Sequence, residues 1–446
     1  MEQILKNSST LTPAQRAEYR EHLMPALRHE GGFLLKGGHG IYLEAMDGKE
    51  YMDFTSEQFT CILGLGNEEI AQAVYEQAKC LTTLAPLHQT DLRYRAFHRI
   101  AEIAPKHLNR LSFTVGGGPA IESALKIALK NVPGSRSFVS LCGGYHGTTF
   151  GTVNATFLSS RGGVDTPANE WLYRFSANVP SAFTRAPRPY CYRCPFGKKC
   201  ESCELECAEA LKQVILTSAQ APVAAVLVEP VQSGGGQIPF PAKYLKRVRE
   251  ICDELGVLLI FDEIQTFARL GTYFAAEYYD VEPDIIVFAK ALGAGIPIAG
   301  ILIHDRLVGF ENLMEDMNTF QNNMISFAAA LKTLEIIDRD ALLQNCTEIG
   351  EYFVMRLKKM QAHHPEIGDI RGIGLAIGIE MVTDPQSREP MCEQKMGELF
   401  SYCREHGLFY QLAHNVIKLK PPIIINREEA ERAMDILERS FDELLP

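Results

Sequence analysis

The sequence predicts an α/β fold: a large domain with a mainly parallel sheet between helices, and a smaller α/β domain built from the C-terminal third and N-terminal elements. Two observations carry this. The segments 223–228, 257–261 and 285–289 are apolar at every position, the pattern of parallel strands buried on both faces. Amphipathic segments separate them, and each run ends on residues that carry chemistry or turns: Glu229-Pro230 before three glycines, Asp262-Glu263, and Lys290. Functional residues in such sheets gather at the carboxyl ends of the strands, so Asp262 and Lys290 are expected on one edge of one sheet.

A lysine closing a hydrophobic strand is costly unless it is neutral or bonded as an imine, and a desolvated lysine of lowered pKa is the form that condenses with aldehydes. An aspartate one strand away suits a protonated ring nitrogen through a charge-assisted hydrogen bond. The pair therefore suits pyridoxal phosphate, which takes a Schiff-base lysine and a carboxylate at its pyridinium nitrogen. A plain internal ion pair is the bland alternative.

The stretches FDEIQ and PDIIVFAKALGAGIPIAG, with GIYLEAMDGKEYMDF near the start and KLKPPIII near the end, resemble the class III aminotransferases, of the ornithine and 4-aminobutyrate type, among the fold-type-I pyridoxal phosphate enzymes. The resemblance covers nearly the whole chain. It implies that Lys290 carries the cofactor, Asp262 binds its ring nitrogen, Gln265 approaches the phenolic oxygen, and Glu229 borders the cofactor.

At 446 residues the chain is long enough for two or three domains. We expect an N-terminal arm with small-domain elements over 1–65, a large cofactor-binding domain over 66–325 and a small domain over 326–446. A net charge of -11 disfavours the clustered cations that nucleic acid requires. The N-terminus lacks a signal-peptide core and no run approaches the ~20 apolar residues of a membrane span. Twelve cysteines in a chain of this class read as reduced thiols, so a cytoplasmic location is expected.

In chain order, residues 1 to about 35 read as a helical arm. A hairpin follows over 38–54, with Asp47-Gly48 as a two-residue turn. In the family the next stretch, SEQFTCILGLG, borders the substrate pocket, which nominates Gln58, Phe59 and Cys61; packing alone accounts for them equally well. Helices are expected over 67–79 and 92–103. Then a strand ending at Val115, glycines 116 to 118 and a helix form an anion site, where free amides converge with the helix dipole. Gly117 and Gly118 are placed on the cofactor phosphate. The family's Ser-Gly-(Thr/Ala)-Glu-Ala is here Gly116-Gly117-Gly118-Pro119-Ala120, which lacks the hydroxyl. Beyond the next strand, the resemblance puts Tyr145 over the pyridine ring with His146 beside it.

The segment 161–206 is irregular and ends in a cysteine-rich loop over 187–207. Cys191 and Cys194, then Cys200 and Cys203, form two CxxC units with Cys207 following. Zinc or an iron-sulfur cluster is one reading; reduced, partly buried thiols are the other. Thr319, in MNTFQNN, matches the family's phosphate ligand donated by a neighbouring subunit, which implies a homodimer; an N-cap for the helix expected over 324–338 is the alternative.

Two departures from the family pattern reshape the pocket. Gly234 stands where a glutamate pairs with the substrate-binding arginine, and Lys418 stands at that arginine, so both partners are replaced together. Lysine keeps the charge but lacks the bidentate fork. The function the resemblance implies is ping-pong transfer of an amino group from an amine or amino acid to a keto acid or aldehyde. Epimerisation or racemisation, phospho-lyase chemistry, and a cofactor-binding protein without turnover are the alternatives.

Overall fold

The computed structural model describes residues 11–28, 33–157 and 182–445. Its central sheet has seven strands, here β1 (Leu108–Thr114), β2 (Ser137–Leu141), β3 (Phe183–Ala186), β4 (Val223–Val228), β5 (Leu258–Asp262), β6 (Ile285–Phe288) and β7 (Ala299–His304). They lie in the order β1-β7-β6-β5-β4-β2-β3. The pairs β6/β5, β5/β4, β4/β2 and β2/β3 are parallel, and β7 runs antiparallel to both β6 and β1. The mainly parallel α/β sheet expected from the apolar runs is present.

Every residue of β4, β5 and β6 is buried. Side chains alternate between faces along a strand: Ala225, Leu227, Ile260, Ile285 and Val287 pack on one side with Ala120, Ile121 and Ala124 of the helix α1 (Gly117–Asn131). Val226, Val228, Leu259, Phe261, Ile286 and Phe288 pack into the larger core on the other. Burial on both faces explains why no polar residue interrupts these runs until their carboxyl ends.

The hairpin forms between Tyr42–Ala45 and Glu50–Asp53, but its turn differs from the expected two-residue type. Gly48 N donates to Ala45 O at 3.0 Å and Ala45 N donates to Lys49 O at 2.9 Å, with Gly48 at φ +84. This is a three-residue loop with glycine in the left-handed position, as a type I turn and bulge require. Leu408–Phe409 pairs parallel to Glu50–Asp53, so C-terminal and N-terminal segments share one four-stranded sheet. A second, antiparallel sheet joins Ile367–Ile373, Ala376–Asp384 and Val416–Leu419.

The helical arm is corrected. Within the described residues it is one short helix, Pro13–Arg20, capped by Thr12 and Gln15, followed by a 3-10 turn at Pro25–Leu27; Leu35 already belongs to a strand. Pro25 removes a backbone donor and restricts Met24, which halts helical continuation. Residues 1–10 and 29–32 of the arm, and 161–181 of the irregular loop, lie outside the described residues. No described helix is long and apolar enough to cross a membrane.

Candidate active site

Five strand ends converge on one cavity of about 860 Å³, lined by Val115–Gly118 after β1, Tyr145–Thr149 after β2, Ser233 and Gly234 after β4, Asp262 and Gln265 at β5, and Lys290 after β6. The C-terminal sheet closes it with Gln411 and Lys418, and Gln58 and Phe59 enter from the N-terminal side. Of the residues nominated from sequence, Gln58, Phe59, Gly117, Gly118, Tyr145, His146, Asp262, Gln265, Lys290 and Lys418 all line it.

Asp262 is 4 % exposed. Its Oδ2 lies 2.7 Å from Nδ1 of His146, itself 2 % exposed, and its Oδ1 accepts from Ile264 N at 3.1 Å. Burial works against a charged imidazole, but the hydrogen bond and charge of Asp262, aided by Glu229, outweigh it and raise the His146 pKa. Lys290 sits at φ +47, a left-handed conformation costly for a residue with a Cβ. Burial lowers its pKa, against the pull of Asp262 and Glu229, which favours the free amine.

Glu229 lies one layer behind the cavity instead of bordering it. Its Oε2 accepts from Tyr145 N at 2.9 Å, and burial raises its pKa to about 7. It thus fixes the backbone that presents Tyr145. Thr319 is exposed and does not line the cavity of its own chain; the N-cap of Met324–Arg339 is Asn323, whose side chain accepts from Ser326 N. Cys61 also stays off the cavity.

The approach of Gln58 and Phe59 has an unusual backbone cause. Ser56, Glu57, Gln58 and Phe59 have φ of 48, 44, 62 and 71, a left-handed turn built without glycine. The buried Asp53 carboxylate holds it, accepting from Thr55 N, Thr55 Oγ1 and Glu57 N at 2.8, 2.6 and 2.9 Å. Ser56 Oγ donates to Lys420 O at 2.6 Å.

Lys420 and Arg269 escaped sequence reasoning. Both are fully buried. The Lys420 ammonium lies 3.6 Å from the Phe59 ring centroid, the Lys290 ammonium 5.3 Å and the Arg269 guanidinium 5.5 Å from it, within reach of the ring quadrupole. Lys420 Nζ donates to Gln411 Oε1 at 2.5 Å, and Arg269 to Pro421 O at 2.8 Å. Burial, then the neighbouring cations, hold Lys420 well below its ordinary pKa. The signal was available in KLKPP: residues 418 and 420 of an extended segment share a face. Lys418 is 5 % exposed, and burial with repulsion from Lys290 lowers its pKa to about 8.

Of the two readings of the cysteine-rich loop, the metal one is not supported. Among the described residues, no three sulphurs of Cys191, Cys194, Cys200, Cys203 and Cys207 approach within 4.8 Å of one another. Cys203 Sγ is 3.6 Å from Cys200 O and 3.5 Å from Lys243 Nζ. Burial raises the Cys191 pKa, and that of Cys207 to about 11. The loop is instead a packing element: Tyr190 and Arg193 bond Glu380, which also pairs with Arg371 at 2.7 Å. Arg371 in turn donates to Gly236 O at 3.0 Å, a structural role.

Residues 27–441 match the family "Aminotransferase class-III". The chain belongs to the class-III aminotransferases. It is 33% identical to the leucine/methionine racemase of Thermococcus litoralis, over 88% of this chain and 87% of that protein. It is 31% identical to the probable 4-aminobutyrate aminotransferase of Bacillus subtilis, over 97% and 98%. A thermostable (S)-enantioselective omega-transaminase from Thermomicrobium roseum superposes with a TM-score of 0.87 at 27% identity, covering 98% of this chain and 100% of that one. The class-III chain is thus an aminotransferase dependent on pyridoxal phosphate.

The residues present fit that cofactor. Gln265 Oε1 is buried without a hydrogen-bond partner and faces the cavity. The amides of Gly117 and Gly118 open α1, where they lack intrahelical acceptors. The glycine cradle is close: a Cβ on Gly117 would meet Ile264 Cδ1, and one on Gly118 Thr149 Cγ2, each at 2.9 Å.

Proposed function

We propose that Lys290 is the cofactor-binding and proton-transferring residue of this aminotransferase, working opposite the Asp262–His146 pair. The observation carrying this is that a buried amine of lowered pKa and a buried carboxylate bonded to a histidine line one cavity at the ends of adjacent strands. Pyridoxal phosphate, when bound, supplies an aldehyde that condenses with amines and a ring that withdraws electrons from the substrate carbon. Asp262 then holds the ring N–H, and His146 holds Asp262 and keeps it charged. The α1 amides of Gly117 and Gly118 grip the phosphate, Tyr145 covers the ring and Gln265 meets its phenolic oxygen. Lys290 would hold and move the transferred proton at its Nζ.

Lys418 and Gly234 set the donor. With no carboxylate at 234, the Lys418 ammonium is left to a substrate anion, which it meets as a point charge without a bidentate fork. Amines or amino acids serve as donors and keto acids or aldehydes as acceptors.

A homodimer completes the site in this reading. Val115, Phe150, Met317 and Phe320 are 37, 70, 48 and 60 % exposed, and they flank Gly116, Thr149 and Thr319 in sequence. A second copy covering them brings its own Thr319 to the phosphate. The same reading divides the chain into 1–65, 66–325 and 326–446 and places it in the cytoplasm.

Racemisation uses the same residues, and the Thermococcus relative is named for it. A panel of amines and amino acids offered with pyruvate or 2-oxoglutarate decides: loss of the cofactor's visible absorbance and appearance of a new amino acid support transfer. Deuterium uptake at the substrate carbon with no net loss of amine would replace it with racemisation, and no spectral response to any amine would refute both.

A further inference from the structure

The two strands that flank the edge of the central sheet opposite the active site bring His107, His304 and Asp305 together. His304 closes β7 and pairs with Leu108, the first residue of β1, across a bulge that shifts the register after Ile303; Asp305 N donates to His107 O at 2.8 Å, which locks the two chain segments side by side. The imidazoles of His107 and His304 stack with centroids 5.4 Å apart and planes 11° from parallel. Asp305 stands between them, with Oδ2 at 3.5 Å from His107 Nδ1 and Oδ1 at 2.9 Å from His304 Nδ1. One ligand atom from each of the three lies within 4.8 Å of the others.

We propose that His107, His304 and Asp305 form a surface site for a divalent d-block cation of the zinc class. The spacing suits it. Ligands at 2.0–2.1 Å from tetrahedral zinc stand about 3.4 Å from one another; here one atom from each residue lies within 4.8 Å of the others, and Asp305 reaches the two imidazoles with different oxygens, at 3.5 and 2.9 Å. The surroundings suit it as well: His304 Nδ1 lies 2.9 Å from Asp305 Oδ1 and 3.2 Å from Arg306 N, and its Nε2 faces Glu282 Oε1 at 3.4 Å. A ligating histidine backed by a carboxylate on its other nitrogen is the arrangement that orients and strengthens such ligands. The cation takes the Nδ1 lone pair in place of the Arg306 amide, and a water completes four-coordination. Bound there, it staples the start of β1 to the end of β7.

The test uses the cofactor-loaded protein titrated with cobalt chloride and zinc chloride. Cobalt is expected to bind as a single ion without thiolate charge-transfer bands, which separates this site from the cysteine-rich loop. Zinc is expected to raise the melting temperature in a concentration-dependent way. Both effects vanish in the His107→Ala/His304→Ala double variant, persist in Cys191→Ser/Cys200→Ser, and Glu282→Gln weakens binding by about tenfold. Should the double variant lose its cofactor absorbance or fold, Asp305→Asn and Glu282→Gln carry the same comparison. Thiolate bands on cobalt, cobalt binding undiminished without the histidines, or no melting shift with zinc would overturn the site.

Discussion

His146 Nδ1 and Asp262 Oδ2 face each other at 2.7 Å, both sealed from water. The imidazole's raised pKa ties this contact to pH. The folded value lies above the ordinary value of about 6.5, so the stabilisation is complete below pH ~6.5 and is lost as pH rises through the folded value. His146→Gln is expected to remove that pH dependence, seen as a melting temperature whose difference from wild type shrinks as pH rises. A difference that is constant with pH would contradict the assignment.

Lys290→Ala removes the amine proposed above to bind the cofactor aldehyde and move the proton. The visible absorbance of the loaded protein is expected to shift to that of free cofactor, and transfer to fall at least about 10²–10⁴-fold, the range for a lost general acid–base group. Stopped-flow absorbance on a single amine measures both.

Lys418 is destabilising while it is charged. A folded pKa of about 8 against an ordinary 10.5 corresponds to about 3 kcal/mol of cost. The cost is fully present below pH 8, falls between pH 8 and 10.5, and is absent above. Lys418→Met is therefore expected to raise stability at pH 7 but not at pH 11 by denaturant titration. It should also raise KM for a carboxylate-bearing donor more than for a neutral amine.

Gly118→Ala places a Cβ 2.9 Å from Thr149 Cγ2 at the amides assigned to phosphate. Losing one hydrogen bond to a charged group costs roughly 1.5–3 kcal/mol, so cofactor affinity should fall about tenfold or more. Equilibrium dialysis against pyridoxal phosphate reads this directly, independent of turnover.

Asp53→Ala strips three hydrogen bonds from a turn whose four residues each carry left-handed strain of about 1–2 kcal/mol. The turn is expected to relax, withdrawing Phe59 from Lys290 and Lys420. Increased protease nicking near residue 57, with raised KM and retained cofactor absorbance, is the expected signature.

Much of the large sheet was readable in the sequence because burial on both faces demands unbroken apolar runs, and those runs end where chemistry begins. Asp262, Lys290 and the glycines that open α1, all of which line the cavity, were therefore nominated from spacing and residue type. The cysteines show the limit of the same approach: paired CxxC units suggested a ligand set, yet sulphur convergence depends on loop path. Glu229 shows it too, since a residue beside the site in sequence can stand behind the cavity.

By itself the sequence determined the fold class and the family pattern, and it placed a lysine and an aspartate at the ends of adjacent strands, because periodicity and local residue type encode burial and strand ends. Only the tertiary structure decided that Lys420 and Arg269 crowd Phe59, that Asp53 holds a left-handed turn, and that His107 meets His304. Those contacts join segments far apart in the chain, where packing and electrostatics act through space and leave no local period to read.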